Sequence, residues 1–332
     1  MDDLPPRYDG TLHPEVWIQD LRFFCALRGV YDQSTVINIA ILRIDPDIPI
    51  PKDISSFSSL INVLKEHFTH TVFRADSLEK LDKLKCERNR DMSEFIAKFI
   101  SLCRGANITD KEEKKKYLLR NLPDDMVRNA FRNRIENLNS FDKMIETFKD
   151  VMLEHRRQIR YGSKIALKHV ATGRFLSSKD VKYDSGSKQY IVFCNNWQPD
   201  KKTDFWIVIP PHEQYCKSGS PVAFNSAIGL KHQQTSRNLH SHTSKSPKTN
   251  QQEVTCWGPD TNDDWLLQRH SINNDYDNSG YWKIGDIISL RHVNTKKSLS
   301  SHDFLLDDGN QEVTCHADGH EENHKWIVEV FE

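Results

Sequence analysis

The sequence has no excess of charge of either sign: 46 Lys and Arg stand against 47 Asp and Glu in 332 residues, a formal net charge of −1. A chain so balanced is not built to coat nucleic acid or to hold an anionic membrane through a polybasic segment. Nor is any apolar run near the ~20 residues needed to span a bilayer; the stretch from Val36 to Ile44 falls far short. The opening Met1-Asp2-Asp3-Leu4-Pro5-Pro6 is acidic and lacks an apolar segment, so no secretory leader is expected and the cytoplasm is the expected location. Seven cysteines (Cys25, Cys86, Cys103, Cys194, Cys216, Cys256, Cys315) are odd in number and never form CxxC, which favours reduced, buried thiols over a disulfide framework. GxSxG, P-loop, GxGxxG, HExxH and kinase signatures are all missing, so the chain is not expected to be an enzyme and no cofactor is implied.

What is present is unevenly placed. Of seven Trp only Trp17 precedes residue 161, as do only Gly10, Gly29 and Gly105 of 13 Gly, whereas all five Met lie before it. The balance of charge holds on both sides. Two compositions therefore meet near residue 160, and the fold expected is α+β in two domains: a helical bundle over 1–160 and an all-β domain over 161–332.

Helical spacing runs through the first part. Trp17, Leu21 and Phe24 share a face after Pro14; Leu60, Ile61, Leu64 and Phe68 form a second stripe, and Leu78, Leu81 and Leu84 a third. Met92, Phe95, Ile96, Phe99, Leu102 and Cys103 follow Asp91 and Glu94, placed as a capping box, and Thr109 with Glu112 is read as a second box ahead of Tyr117 and Leu118. Met126 to Phe131 begins another helix. A last one is expected from Ser140 to about Gln158 through Phe141, Met144, Ile145, Phe148, Val151, Met152 and His155. Lys111 to Lys116 reads as a solvated face, and His67 with His70 lacks the further ligands a metal needs.

The order Tyr8-Asp9-Gly10, Trp17-Ile18-Gln19-Asp20-Leu21, then Leu78 to Leu81, Met92 to Phe95, Phe99 to Leu102 and Leu119 to Pro123 resembles retrotransposon Gag capsid domains over roughly residues 5–158. That resemblance implies a capsid-like module that self-associates, so a homo-oligomer is expected through this half. No zinc knuckle or basic tail follows, so nucleic-acid packaging is not.

After Tyr161 the pattern turns to short alternating runs broken by Gly, Asn, Ser and Asp, as strands and turns require. It repeats three times, over about 161–210, 219–270 and 284–331. Leu167-Lys168-His169, Leu230-Lys231-His232 and Leu290-Arg291-His292 open the units, and Leu176, Leu239 and Leu299 follow nine positions on. Gln189 to Cys194, Gln251 to Cys256 and Gln311 to Cys315 come next, and Trp206, Trp265 and Trp326 close them. Four short strands taken three times are what a β-trefoil needs, because one unit cannot bury its strands alone. The repeated Leu, Trp and Cys residues are read as core, and His169, His232 and His292 as structural groups bonding a neighbouring turn. Gln233 to Gln252 has the composition of a mobile surface loop. The second unit departs at one place: no glycine stands five positions before Leu230, as Gly162 and Gly285 do before Leu167 and Leu290.

The pattern L-K/R-H-x-x-T-x-x-x-L-S/H-S, then Q-E-V-T-C and W-x-I/L, resembles the MIR domain, a β-trefoil found in protein O-mannosyltransferases, in inositol trisphosphate and ryanodine receptors, and in stromal-cell-derived-factor-like proteins. The resemblance implies a non-catalytic module recognising a protein or carbohydrate ligand. Trp257, Tyr281, Trp282, His240 and His242 are the residues named as exposed contacts. Two other readings stand beside it: a monomeric recognition protein whose helical half docks a protein partner, and a metal- or sugar-dependent enzyme. For the latter, Cys315-His316 with Asp318, His320 and His324, a threefold set of His169, His232 and His292, and pairs such as Asp263-Asp264 and Asp307-Asp308 are the candidate constellations. A metal-free, non-catalytic protein is preferred over all of them.

Overall fold

The computed structural model describes residues 4–87, 91–270, 280–317 and 322–331. It divides into two compact units, Met1–Arg156 and Arg157–Glu332.

The first unit is helical: α1 (Pro14–Ala26), α2 (Gln33–Leu42), α3 (Phe57–Glu66), α4 (Phe68–Lys83), α5 (Met92–Gly105), α6 (Lys111–Asn121), α7 (Asp125–Ile135) and α8 (Phe141–Arg157). Pro14 opens α1, where its missing N–H costs nothing. Asp91 caps α5 by accepting from the N–H groups of Ser93 and Glu94. The cap of α6 differs from the sequence expectation: Asp110, not Thr109, accepts from the Glu113 N–H at 2.8 Å. A carboxylate one residue later is the stronger acceptor and adds charge at the positive helix end. Helix α2 has no counterpart in the sequence reading, because Val36, Ile37, Ile39, Ala40, Ile41 and Leu42 run on with little polar interruption and leave no stripe. Two clusters fill the unit. One gathers Tyr8, Trp17, Leu21, Val36, Leu60 and Leu64; the other packs Leu81, Phe95, Phe99, Leu118, Phe131 and Phe148. None of the described helices is long and apolar enough to cross a membrane.

Among its described residues the second unit carries twelve strands in three sets of four: β1 (Lys164–His169), β2 (Phe175–Lys182), β3 (Tyr190–Asn195), β4 (Phe205–Ile209); β5 (Ala227–His232), β6 (Asn238–Lys245), β7 (Gln252–Trp257), β8 (Trp265–Arg269); β9 (Ile287–His292), β10 (Ser298–Leu305), β11 (Gln311–His316), β12 (Trp326–Phe331). Successive sets are joined antiparallel by β4 with β5, β8 with β9 and β12 with β1, which returns the last set to the first. Strands β3, β7 and β11 pair with each other in a triangle. The core is contiguous, with Leu167, Leu176, Cys194, Trp206, Leu230, Leu239, Cys256, Trp265, Leu290, Leu299, Cys315 and Trp326 all buried.

The repeats agree atom by atom. The indole Nε1 of Trp206, Trp265 and Trp326 donates to the carbonyls of Leu176, Leu239 and Leu299 at 2.8, 2.9 and 3.0 Å. The imidazole Nε2 of His169, His232 and His292 donates to the carbonyls of Asn323, Thr203 and Asn262 at 2.9, 2.9 and 3.0 Å, in each case three residues before a repeat Trp of another unit. Their Nδ1 atoms accept from Thr172, Thr235 and Thr295, each at 2.9 Å. With both ring nitrogens so engaged, no threefold metal set is available to these histidines. At the missing glycine, Asn225 takes φ +58°, the left-handed conformation that Gly162 and Gly285 hold at +92° and +87°; Asn tolerates that region better than other residues with a Cβ.

The segment from Gln233 to Gln252 is not a mobile loop. Its middle is β6, with Asn238, Leu239, His240 and Ser241 buried. Polar composition misleads here because these side chains are bonded inside: Asn238 Nδ2 donates to Asp263 and the Ser241 hydroxyl to the Glu253 carbonyl.

Candidate ligand-binding surface

Of the five residues named as contacts, two are excluded by burial. Trp282 is fully buried in the core of the β unit, drawn in because residues 280–283 pair rather than loop: its backbone N–H donates to Val222 O and its carbonyl accepts from Ile159. His240 is 1% exposed, its ring held by Asp263. Tyr281 is half-buried and bridges to Ala223, and His242 is half-buried with its ring edge against His240. Trp257 is 41% exposed at the end of β7.

Around Trp257 the strands assemble a surface. Tyr190 opens β3 and pairs with Cys256, which places its ring beside Trp257 at 6.3 Å between centroids and 26° between planes. Arg237, in the turn before β6, lies over the same tyrosine, its guanidinium carbon 3.3 Å from the ring centroid. Asp180 on β2 fixes that guanidinium through a 3.0 Å ion pair, and the Lys182 ammonium lies 5.3 Å from the Tyr190 ring. An aromatic face with a cation held over it is attracted by the ring quadrupole and offers both an apolar platform and hydrogen-bond donors at its edge.

A second aromatic platform lies in the first repeat. Trp197 is 68% exposed after Asn196, which has a left-handed φ of +43°, and the Arg174 guanidinium carbon is 4.8 Å from its ring centroid. Arg174 and Arg237 hold equivalent places, two residues before Leu176 and Leu239. The sequence reading missed Trp197, Tyr190 and Arg237. For Trp197 a signal exists, a tryptophan in the polar Asn195-Asn196-Trp197-Gln198-Pro199 segment with no repeat counterpart. Tyr190 and Arg237 meet only through strand pairing.

A cavity of about 270 Å³ opens between the β2–β3, β6–β7 and β10–β11 turns, lined by Tyr183, Ile191, Lys248 and Leu306. Its charged rim is largely self-paired, Lys248 with Asp307 and Lys179 with Asp308.

Burial pushes the thiols of Cys194, Cys256 and Cys315 up to about 12, out of the thiolate range. Asp307 and Asp308 are tied to lysines, and Asp263 to His240 and Asn238, so neither acidic pair is arranged as free acid and base. Asp318 and His320 lie outside the described residues.

The MIR domain family matches residues 198–328. A stromal cell-derived factor 2-like protein of Dictyostelium discoideum is 34% identical over 153 residues, which cover 43% of this chain and 68% of its own. A stromal cell-derived factor 2-like protein of Arabidopsis thaliana is 34% identical over 178 residues, covering 52% of this chain and 78% of its own. Dolichyl-phosphate-mannose–protein mannosyltransferase 1 of Candida albicans is 30% identical over 191 residues, 53% of this chain but only 21% of that enzyme.

Proposed function

The chain belongs to the stromal cell-derived factor 2-like family of MIR-domain proteins, and on that footing we propose that it is a non-catalytic recognition protein whose β unit, closed as a β-trefoil, binds carbohydrate on the surface formed by Tyr190, Arg237 and Trp257. The observation that carries this reading is the stacked Tyr190–Trp257 pair with Arg237 clamped over it by Asp180. The C–H face of a pyranose packs on an aromatic ring, while a fixed guanidinium and carboxylate meet its hydroxyls. The match within a mannosyltransferase supports a sugar-related setting, and the stromal cell-derived factor 2-like relatives support binding without turnover. Binding to immobilised glycans by the intact chain, and its loss in Trp257→Ala, tests this.

The helical unit carries a second role in the proposal: a capsid-like module that brings copies of the chain together. Phe23, Leu27 and Tyr31 are 66, 68 and 77% exposed, beside a cleft of about 390 Å³ lined by Phe23, Tyr31, Val36 and Phe57. Large apolar groups left in water at one place mark an interaction site. Self-association would multiply weak sugar contacts through avidity. Light scattering after size exclusion tests it: a concentration-dependent rise in mass that Phe23→Glu abolishes supports assembly, and a strict monomer overturns it.

A further inference from the structure

The three repeats differ most tellingly at one buried pair. The residue after the second repeat leucine is Ser177, His240 or Ser300, and the residue two before the closing tryptophan is Asp204, Asp263 or His324. In the first repeat the Ser177 hydroxyl donates to Asp204 Oδ1 at 2.6 Å, and Asp204 Oδ2 accepts from the Asp200 N–H at 2.7 Å, closing the turn before β4. In the second repeat Asp263 Oδ2 accepts from the Asp260 N–H at 2.9 Å in the same manner, so the turn is already closed without the residue at position 240. What this repeat adds is an imidazole.

His240 Nδ1 lies 2.9 Å from Asp263 Oδ1 and 3.6 Å from Asp260 Oδ1. One nitrogen and two carboxylate oxygens are thus gathered within 4.8 Å of one another, and among the described residues no other His, Cys, Asp and Glu group of three is so close. The 2.9 and 3.6 Å separations from the imidazole suit atoms that share one ion at ~2.0–2.2 Å each. We propose that His240, Asp260 and Asp263 form a binding site for a divalent transition-metal ion of the Zn²⁺ type.

The surroundings fit that assignment. Asn238 Nδ2 donates to Asp263 Oδ2 at 2.9 Å and orients the carboxylate from behind, as outer partners of metal ligands do. Gly258 is required beside it: φ is +84°, and a Cβ there would come 2.1 Å from Asp263 Oδ2. The Asp260 side chain is 44% exposed, which gives an ion an entry path and leaves a position for water. His242 sets its ring edge against His240 with centroids 5.3 Å apart. A mixed imidazole and carboxylate set without sulfur selects Zn²⁺, Co²⁺ or Mn²⁺ over soft ions, and three protein donors are too few for Ca²⁺.

The test titrates Zn²⁺ alone into the chelator-treated full chain by calorimetry, with Co²⁺ absorption as a second readout. Stoichiometric uptake at one site is expected, weakened at least about tenfold in His240→Ser. The first repeat shows that serine is accommodated at this position, so the metal-free melting curve of that variant should stay close to the parent's. Asp260→Asn, whose amide still caps the turn, gives an independent loss if His240→Ser folds poorly. Absence of stoichiometric uptake by the parent, or unchanged affinity in both variants, overturns the assignment.

Discussion

Arg237 and Tyr190 belong to different repeats, yet the arginine guanidinium carbon sits 3.3 Å from the centre of the tyrosine ring. The contact arises because β3 pairs with β7, so that the start of one repeat's third strand lies beside the next repeat's second hairpin. A surface built this way depends on the pairing of the first repeat with the second. Its residues are remote in sequence and are assembled only by the fold.

Acid should weaken the β unit. Burial pushes His169 down to about 4 and also lowers His232 and His292, against the opposing effect of the carbonyl each one bonds. Unfolded imidazoles take up a proton near 6.5. Between that value and the native ones the unfolded chain binds more protons, so stability falls as pH falls, and the effect vanishes above pH 6.5. His169 alone costs about 3 kcal/mol by pH 4. Asp204, raised by burial, acts with the opposite sign at the acid end. Thermal melts at pH 7 and 5 should show a lower midpoint at pH 5, and a smaller drop in His169→Gln; a flat profile contradicts this.

Asn225→Gly should hold or raise stability, by up to about 1 kcal/mol, because glycine takes the left-handed φ of +58° without strain. Asn225→Ala should lower it by a similar amount. Urea denaturation of the two variants decides the matter, and equal midpoints would show that this turn does not depend on backbone conformation.

Thiol labelling should be ordered by burial. Cys216 is half-buried, whereas the other six cysteines are buried. A disulfide reagent should modify Cys216 first in the native chain and reach Cys194, Cys256 and Cys315 only on unfolding, since their thiols also stay protonated at any ordinary pH. Rapid native labelling of several of these would contradict the packing described.

The sequence made the repeats readable because the same side chains recur where the same physics is needed: a leucine and a tryptophan for the core, a histidine to tie each unit to a turn of another. Composition failed where polar groups are buried. Strand β6 looks like a loop until Asn238, His240 and Ser241 are seen to be satisfied by Asp263 and Glu253. Helix α2 failed for the opposite reason, since a nearly unbroken apolar run has no period to read. The candidate surface was legible in one residue of three. Trp257 follows a repeat cysteine and stands out, while Tyr190 and Arg237 acquire meaning only from which strands pair.

The central claim is that the β unit recognises carbohydrate without acting on it, at Tyr190, Arg237 and Trp257. The most direct measurement is glycan-array binding of the full chain beside Trp257→Ala and Arg237→Ala. Saturable binding to a defined set of glycans, reduced at least about tenfold in each variant with unchanged melting and no glycan consumed, is the expected result. No glycan bound by the parent chain, or binding unaffected by both substitutions, would contradict it.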